Sequence, residues 1–92
     1  MKHKRIGVIG IVIDSLDASA DKVNYFLGQY ASIIVGRMGI PYKKRKISVI
    51  SIIVEGTTDE IGALTGKLGR LEGVTVKSAL TTKEYQEYTD EN

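Results

Sequence analysis

The sequence has no cysteine and no tryptophan, and only one histidine and one proline among its 92 residues. Without cysteine there is no disulfide framework, no thiolate nucleophile and no Cys-rich zinc or iron–sulfur site. One histidine cannot supply a His-based ligand set, so most hydrolytic and metal chemistry is excluded with it. The expectation is a chain without cofactor, metal or catalytic residues. Charge of one sign is also scarce: 13 Lys and Arg against 11 Asp and Glu leave a net charge of +2. That balance is too mild to argue for nucleic-acid binding. The basic start, Met1, Lys2, His3, Lys4 and Arg5, leads into an apolar run that stops at Asp14. The run lacks a small-residue cleavage site and is too short to span a bilayer, which points to the cytoplasm and away from a membrane.

What is present is apolar residues in a repeated pattern. Laid on itself at an offset of 41, the sequence aligns Ile6, Val8, Ile9, Ile11, Val12, Ile13 and Asp14 with Ile47, Val49, Ile50, Ile52, Ile53, Val54 and Glu55. The match continues more loosely through Val23, Leu27 and Tyr30 against Leu64, Leu68 and Leu71, then through Ile33 and Val35 against Val74 and Val76. Each half reads strand, helix, strand. Strands are expected over 4–14, 32–39, 46–55 and 74–80, with residues 39–45 joining the second to the third. A first helix over 17–30 buries Val23, Phe26, Leu27 and Tyr30, with Ser15, Asp17 or Ser19 as its N-cap. A second opens on a capping box, Thr57 with Glu60, buries Ile61, Leu64, Leu68 and Leu71, and stops at Gly73. Two right-handed split βαβ units give an α+β, ferredoxin-like βαββαβ fold with an antiparallel sheet in order 4-1-3-2 and both helices on one face. Residues 1–80 form this single domain, and 81–92 a polar, acidic C-terminal tail.

A sheet covered on one side should alternate apolar and polar residues. The central strands do not: Ile6, Val8 and Val12 oppose Ile9, Ile11 and Ile13, and Ile47, Val49 and Ile53 oppose Ile50, Ile52 and Val54. The second apolar face predicts a homo-oligomer, dimer or tetramer, formed through the sheet. The other reading lays the tail across this face, with Tyr85 and Tyr88 as its anchors.

Candidate chemistry is sparse. The basic clusters Lys2 to Arg5 and Lys43 to Lys46 fall at opposite ends of the sheet, each beside acidic residues: Glu55, Asp59 and Glu60 for the first, Asp14 and Asp17 for the second. The central strands carry no aromatics, unlike a base-stacking RNA-binding sheet. The acidic loop after strand 1 repels phosphate. At one end, however, the loop after strand 1, the start of helix 1 and residues 36–42 are expected to meet. Helix amides, an arginine and glycines would come together there, giving Asp14, Ser15, Asp17, Arg37, Gly39 and Tyr42 as candidate ligand-binding residues. Gly39 and Pro41 can equally serve only to shape the hairpin, and Arg37 can be a solvated strand residue.

Lys4, Arg5, Ile6, Gly7, Val8, Ile9 and Gly10; the run from Ile34 through Gly36, Arg37, Met38, Gly39, Ile40 and Pro41 to Tyr42; Gly56 to Ile61; and Thr65 to Val74 together resemble the small ACT-like family of iron-only hydrogenase system regulators. The resemblance covers about residues 4–80. It implies a non-catalytic regulatory, ligand-sensing module and a transcriptional regulator linked to the iron-only hydrogenase system. ACT-like domains bind small molecules near the loop after strand 1, which implies an amino-acid-like effector whose ammonium meets Asp14. The sequence is also similar to the C-terminal domain of nickel-responsive repressors, but lacks counterparts of its histidine and cysteine ligands. It begins on strand 1, ahead of which no ribbon-helix-helix arm is written, so no direct DNA binding is expected. A small dimeric ferredoxin-like-barrel enzyme and a purely structural oligomerisation module are the other readings.

Overall fold

A computed structural model describes residues 3–14 and 16–86, without the side chains of residues 16–18. The elements run β1 (His3–Ile13), α1 (Leu16–Gln29), β2 (Ile34–Tyr42), β3 (Ile47–Gly56), α2 (Thr58–Gly69), β4 (Val74–Leu80) and a short β5 (Tyr85–Gln86). The sheet order is β2-β3-β1-β4, which is the expected 4-1-3-2 read from the other edge. All pairings are antiparallel, and the two duplicated strands lie side by side with Ile9 opposite Ile52 and Ile11 opposite Ile50. Ser15, Met1, Lys2 and residues 87–92 lie outside the described residues.

Alternation along the strands decides what the helices cover. Ile9, Ile11 and Ile13 of β1 and Ile50, Ile52 and Val54 of β3 are buried against Val23 and Leu27 of α1 and Ile61, Leu64 and Leu68 of α2. The α2 cap is the capping box expected: the Thr57 hydroxyl accepts from the Glu60 amide at 3.1 Å, and the Glu60 carboxylate accepts from the Thr57 amide at 2.8 Å. Lys67 of α2 sits 5.1 Å from the ring centre of Tyr30 and 6.0 Å from that of Phe26, which fastens the helices across their exposed seam.

Several boundaries differ from expectation, each for a physical reason. Ser19 is not a cap: it is buried, and its hydroxyl donates to the Glu72 carbonyl at 2.6 Å, tying α1 to the α2–β4 turn. Helix α2 ends at Gly69, four residues before Gly73; Gly73 does take the left-handed conformation, with φ 74°, at the entry to β4. Gly39, Ile40, Pro41 and Tyr42 are not connecting loop. They extend β2, pairing with Ile50, Val49, Ser48 and Ile47. Pro41 is tolerated because β2 is an outermost strand, where proline interrupts no interior ladder. The turn is instead a single 3₁₀ turn, Lys43–Arg45, closed by Lys46 at φ 57°, the one non-glycine among the described residues with positive φ. Past Leu80, within the segment read as a polar, acidic tail, the chain returns as β5 beside His3 and Lys4. Arg5 holds it: Nη1 donates to the carbonyls of Thr81 and Thr82, each at 2.8 Å, and Nη2 to Glu84 at 3.1 Å.

Candidate functional site

Two regions carry functional potential: the end of the sheet where β1 and β2 finish, and the sheet face opposite the helices. Strands β1 and β2 both run antiparallel to β3 and so end together, which brings Asp14 and Tyr42 to one end with β3 between them. The Asp14 amide donates to the Gly73 carbonyl at 2.7 Å, leaving the carboxylate exposed. Tyr42 is 45% exposed. Asp17 lies in the first turn of α1 at the same end, and Ser15 lies outside the described residues.

Arg37 and Gly39 are not brought to this end. Arg37 pairs with Ile52, level with Ile9, and Gly39 with Ile50, level with Ile11. Arg37 therefore stands five residues, about 17 Å, up the strand from Tyr42. Its Nη2 donates to the Asn24 side chain of α1 at 3.0 Å, which fixes it against the helix layer. The expected convergence fails because β2 ends three residues later than its Gly and Pro content indicates, at Tyr42 rather than Gly39.

The open face is the larger feature. Val8 is 47% exposed, Met38 63%, Ile40 51%, Val49 37% and Ile53 46%. No described residue covers them. The irregular register between Ile34 and Gly36 leaves a hollow of about 210 Å³ on this face, lined by Gly36, Arg37, Met38, Ser51 and Ile53. No atom lies within 4 Å of where a Gly36 side chain would begin. Sequence reasoning missed this hollow; the signal available was the period-two pattern of Gly36, Met38, Ile40 and Tyr42, legible only if β2 is carried past Gly39.

Among the described residues no group of three His, Asp or Glu side chains is placed to hold a metal ion. No helix of the described residues is long and apolar enough to cross a membrane. The remaining polar cluster is the β5 clasp, where Glu84 meets Arg5 at 3.1 Å and His3 at 3.6 Å. All three side chains are a quarter to a half exposed, so the cluster anchors a segment rather than forming a reactive site.

Comparison with known proteins matches residues 5–78 to the TM1266-like family, described as "Iron-only hydrogenase system regulator, putative". Among solved structures, the uncharacterized protein TM1266 from Thermotoga maritima superposes with a TM-score of 0.82 at 32% identity, over 84% of this chain and 96% of that one. A protein titled "putative glycine cleavage system transcriptional repressor" superposes at 0.65 and 15% identity, over 94% of this chain and 50% of the other. The apo form of CPII from Thiomonas intermedia K12, a nitrogen regulatory PII-like protein, gives 0.54 and 12%, over 92% and 98%. The last two share the fold. No curated protein matches the chain. Matched by the family along most of its length, and with a relative of the same size at 32% identity, the chain belongs to the TM1266-like family of iron-only hydrogenase system regulators.

Proposed function

We propose that the chain is a non-catalytic regulatory module of the cytoplasm that assembles with copies of itself through the open sheet face, senses an amino-acid-like effector, and acts on transcription through a partner protein rather than by touching DNA. The observation that carries the reading is the uncovered apolar face. From Ile6 to Asp14 and across four strands it measures roughly 26 Å by 19 Å, about 500 Å² per copy. Two such faces together reach about 1,000 Å², the lower bound for a specific interface. A contiguous apolar patch of this size lies at the upper end of what a monomer exposes and supports an interaction surface.

The effector site proposed is the shared end of β1 and β2. Asp14 offers a carboxylate for an ammonium group, Asp17 lies in the first turn of α1, Tyr42 offers a ring face and a hydroxyl, and Ser15, outside the described residues, remains a candidate from the sequence. An amino acid seated there reaches neither Arg37 nor Gly39 of the same copy. Those two residues take part only for an extended effector lying along β2.

Thermal denaturation with free amino acids at millimolar concentration tests this. Binding to the folded state alone stabilises by about 2.7 kcal/mol at a hundredfold excess over Kd. An effector should raise Tm, and Asp14→Asn or Tyr42→Phe should reduce the rise. If no amino acid or related zwitterion shifts Tm, or if both variants respond as the parent does, the site is misplaced.

A further inference from the structure

The ladder registers define three levels across the open face. Gly36, Ile53, Val8 and Ala79 lie on one; Met38, Ser51, Gly10 and Lys77 on the next; Ile40, Val49, Val12 and Thr75 on the third. Two features break the apolar pattern. The middle level is small at its centre, Gly10 and Ser51, and long at its edges, Met38 on β2 and Lys77 on β4. Lys77 is the one charge on the three levels. It is exposed, and it makes no ion pair or side-chain hydrogen bond among the described residues.

A second copy with its strands aligned can cover this face in two symmetric ways, since sheets that pack face to face keep their strand directions close. With the two-fold axis across the strands, β4 lies over the partner's β4 and the middle levels coincide, so the two Lys77 ammonium groups confront each other over an apolar surface. With the axis along the strands, between β1 and β3, β1 lies over the partner's β3 and β4 over the partner's β2. Val8 then faces Ile53, Val12 faces Val49, and Lys77 faces Met38 beside the hollow.

We infer that two copies stack in this second way, with Lys77 of each seated in the hollow lined by Gly36, Arg37, Met38, Ser51 and Ile53 of the other, where the Arg37 guanidinium is itself drawn to the helix layer by Asn24. The inference rests on the assembly reading above and adds its orientation. A lysine suits the position because its four-carbon stem covers apolar lining while the ammonium remains at a polar rim. The Ser51 hydroxyl, half-buried and without a side-chain hydrogen bond among the described residues, is the acceptor available at that rim. The two-fold across the strands stacks Lys77 on Lys77 in sheets about 10 Å apart, which turns the two ammonium groups toward each other so that they repel.

The chain has no cysteine, so single-cysteine variants report on geometry without background. Ile40, Thr75 and Ala79 are exposed on the same face, and cysteine at any of them leaves both the core and Lys77 intact. Ile40→Cys and Thr75→Cys, each folded by circular dichroism, are mixed in equal amounts, allowed to exchange and treated with a short bismaleimide. Peptide mass spectrometry should find the 40–75 link in the mixture at least tenfold above self-linkage of either variant alone. A predominant 75–79 link in the matching mixture of Thr75→Cys with Ala79→Cys overturns the orientation and selects the axis across the strands. A dimer by light scattering without a 40–75 link also overturns the orientation while leaving assembly through the sheet in place. A monomer at micromolar concentration overturns both.

Discussion

Replacing Gly7 with alanine puts a methyl group into a space already filled. Gly7 is buried on the helix side of β1, paired with Leu80 near the end of β4. A side-chain carbon there would stand 2.6 Å from the Ala79 carbonyl oxygen and 3.2 Å from the Leu80 α-carbon, and it would also collide with the Leu80 Cδ2 methyl. The Leu80 side chain can rotate away. The Ala79 carbonyl cannot, because it belongs to the strand backbone, so β4 must shift or its last pairs must open. Overpacking of this kind costs roughly 1–3 kcal/mol, and the backbone contact puts Gly7→Ala in the upper half of that range before the entropy gain of about 0.5–1 kcal/mol that alanine brings to a strand. The net loss is about 2 kcal/mol, which for a domain of this size lowers Tm by about 8–16 °C. Circular dichroism melts at matched protein concentration measure it, since Tm of an assembling protein depends on concentration. Gly39→Ala is the internal comparison: it is a strand glycine off the open face whose nearest foreign atom, Ile50 Cγ1, is 3.7 Å away, an ordinary contact, so the change should stay within about 0.5 kcal/mol. A Gly7→Ala loss no larger than that of Gly39→Ala would refute the close-packing argument.

Thr57→Ala removes one arm of the capping box and should cost about 1 kcal/mol by chemical denaturation, with Thr57→Ser restoring most of it. Lys46→Gly relieves the left-handed conformation at φ 57° and should raise stability by up to about 1 kcal/mol, measured the same way. Arg5→Ala unclasps β5: amide exchange at residues 81–86 should accelerate tenfold or more while global stability changes by less than about 1 kcal/mol, because the lost contacts are exposed.

The duplication made most of the fold legible. Strands β1 and β3 repeat the same apolar alternation, and each is followed by a helix whose stripe is written at helical spacing, so the topology, the buried set and the open face all follow from local pattern. The failures lie where local signals compete with tertiary position. Gly39 and Pro41 read as chain breakers, yet at a sheet edge they continue β2, and that single misjudged boundary displaced Arg37 from the candidate site by several residues. Strand β5 has no sequence signature of its own. It is held through the segment ahead of it, where Thr81, Thr82 and Glu84 are bound by a guanidinium 76 to 79 residues away, a relation invisible to any short window. The Asp14 and Tyr42 end was legible because it depends only on strand direction, whereas the hollow depends on a register irregularity at Ile34 and Gly36 that propensity does not encode.

Whether the open face joins copies of the chain is decided by sedimentation velocity at micromolar concentration on the parent chain and two lysine variants of adjacent residues in β3. Ile53 is 46% exposed on the open face, and Ile52 is 0% exposed on the helix face. The parent should sediment as a dimer or tetramer, Ile53→Lys as a folded monomer with an unchanged circular dichroism spectrum, and Ile52→Lys should unfold. A parent chain that sediments as a monomer, or an Ile53→Lys variant that remains assembled, would contradict the account.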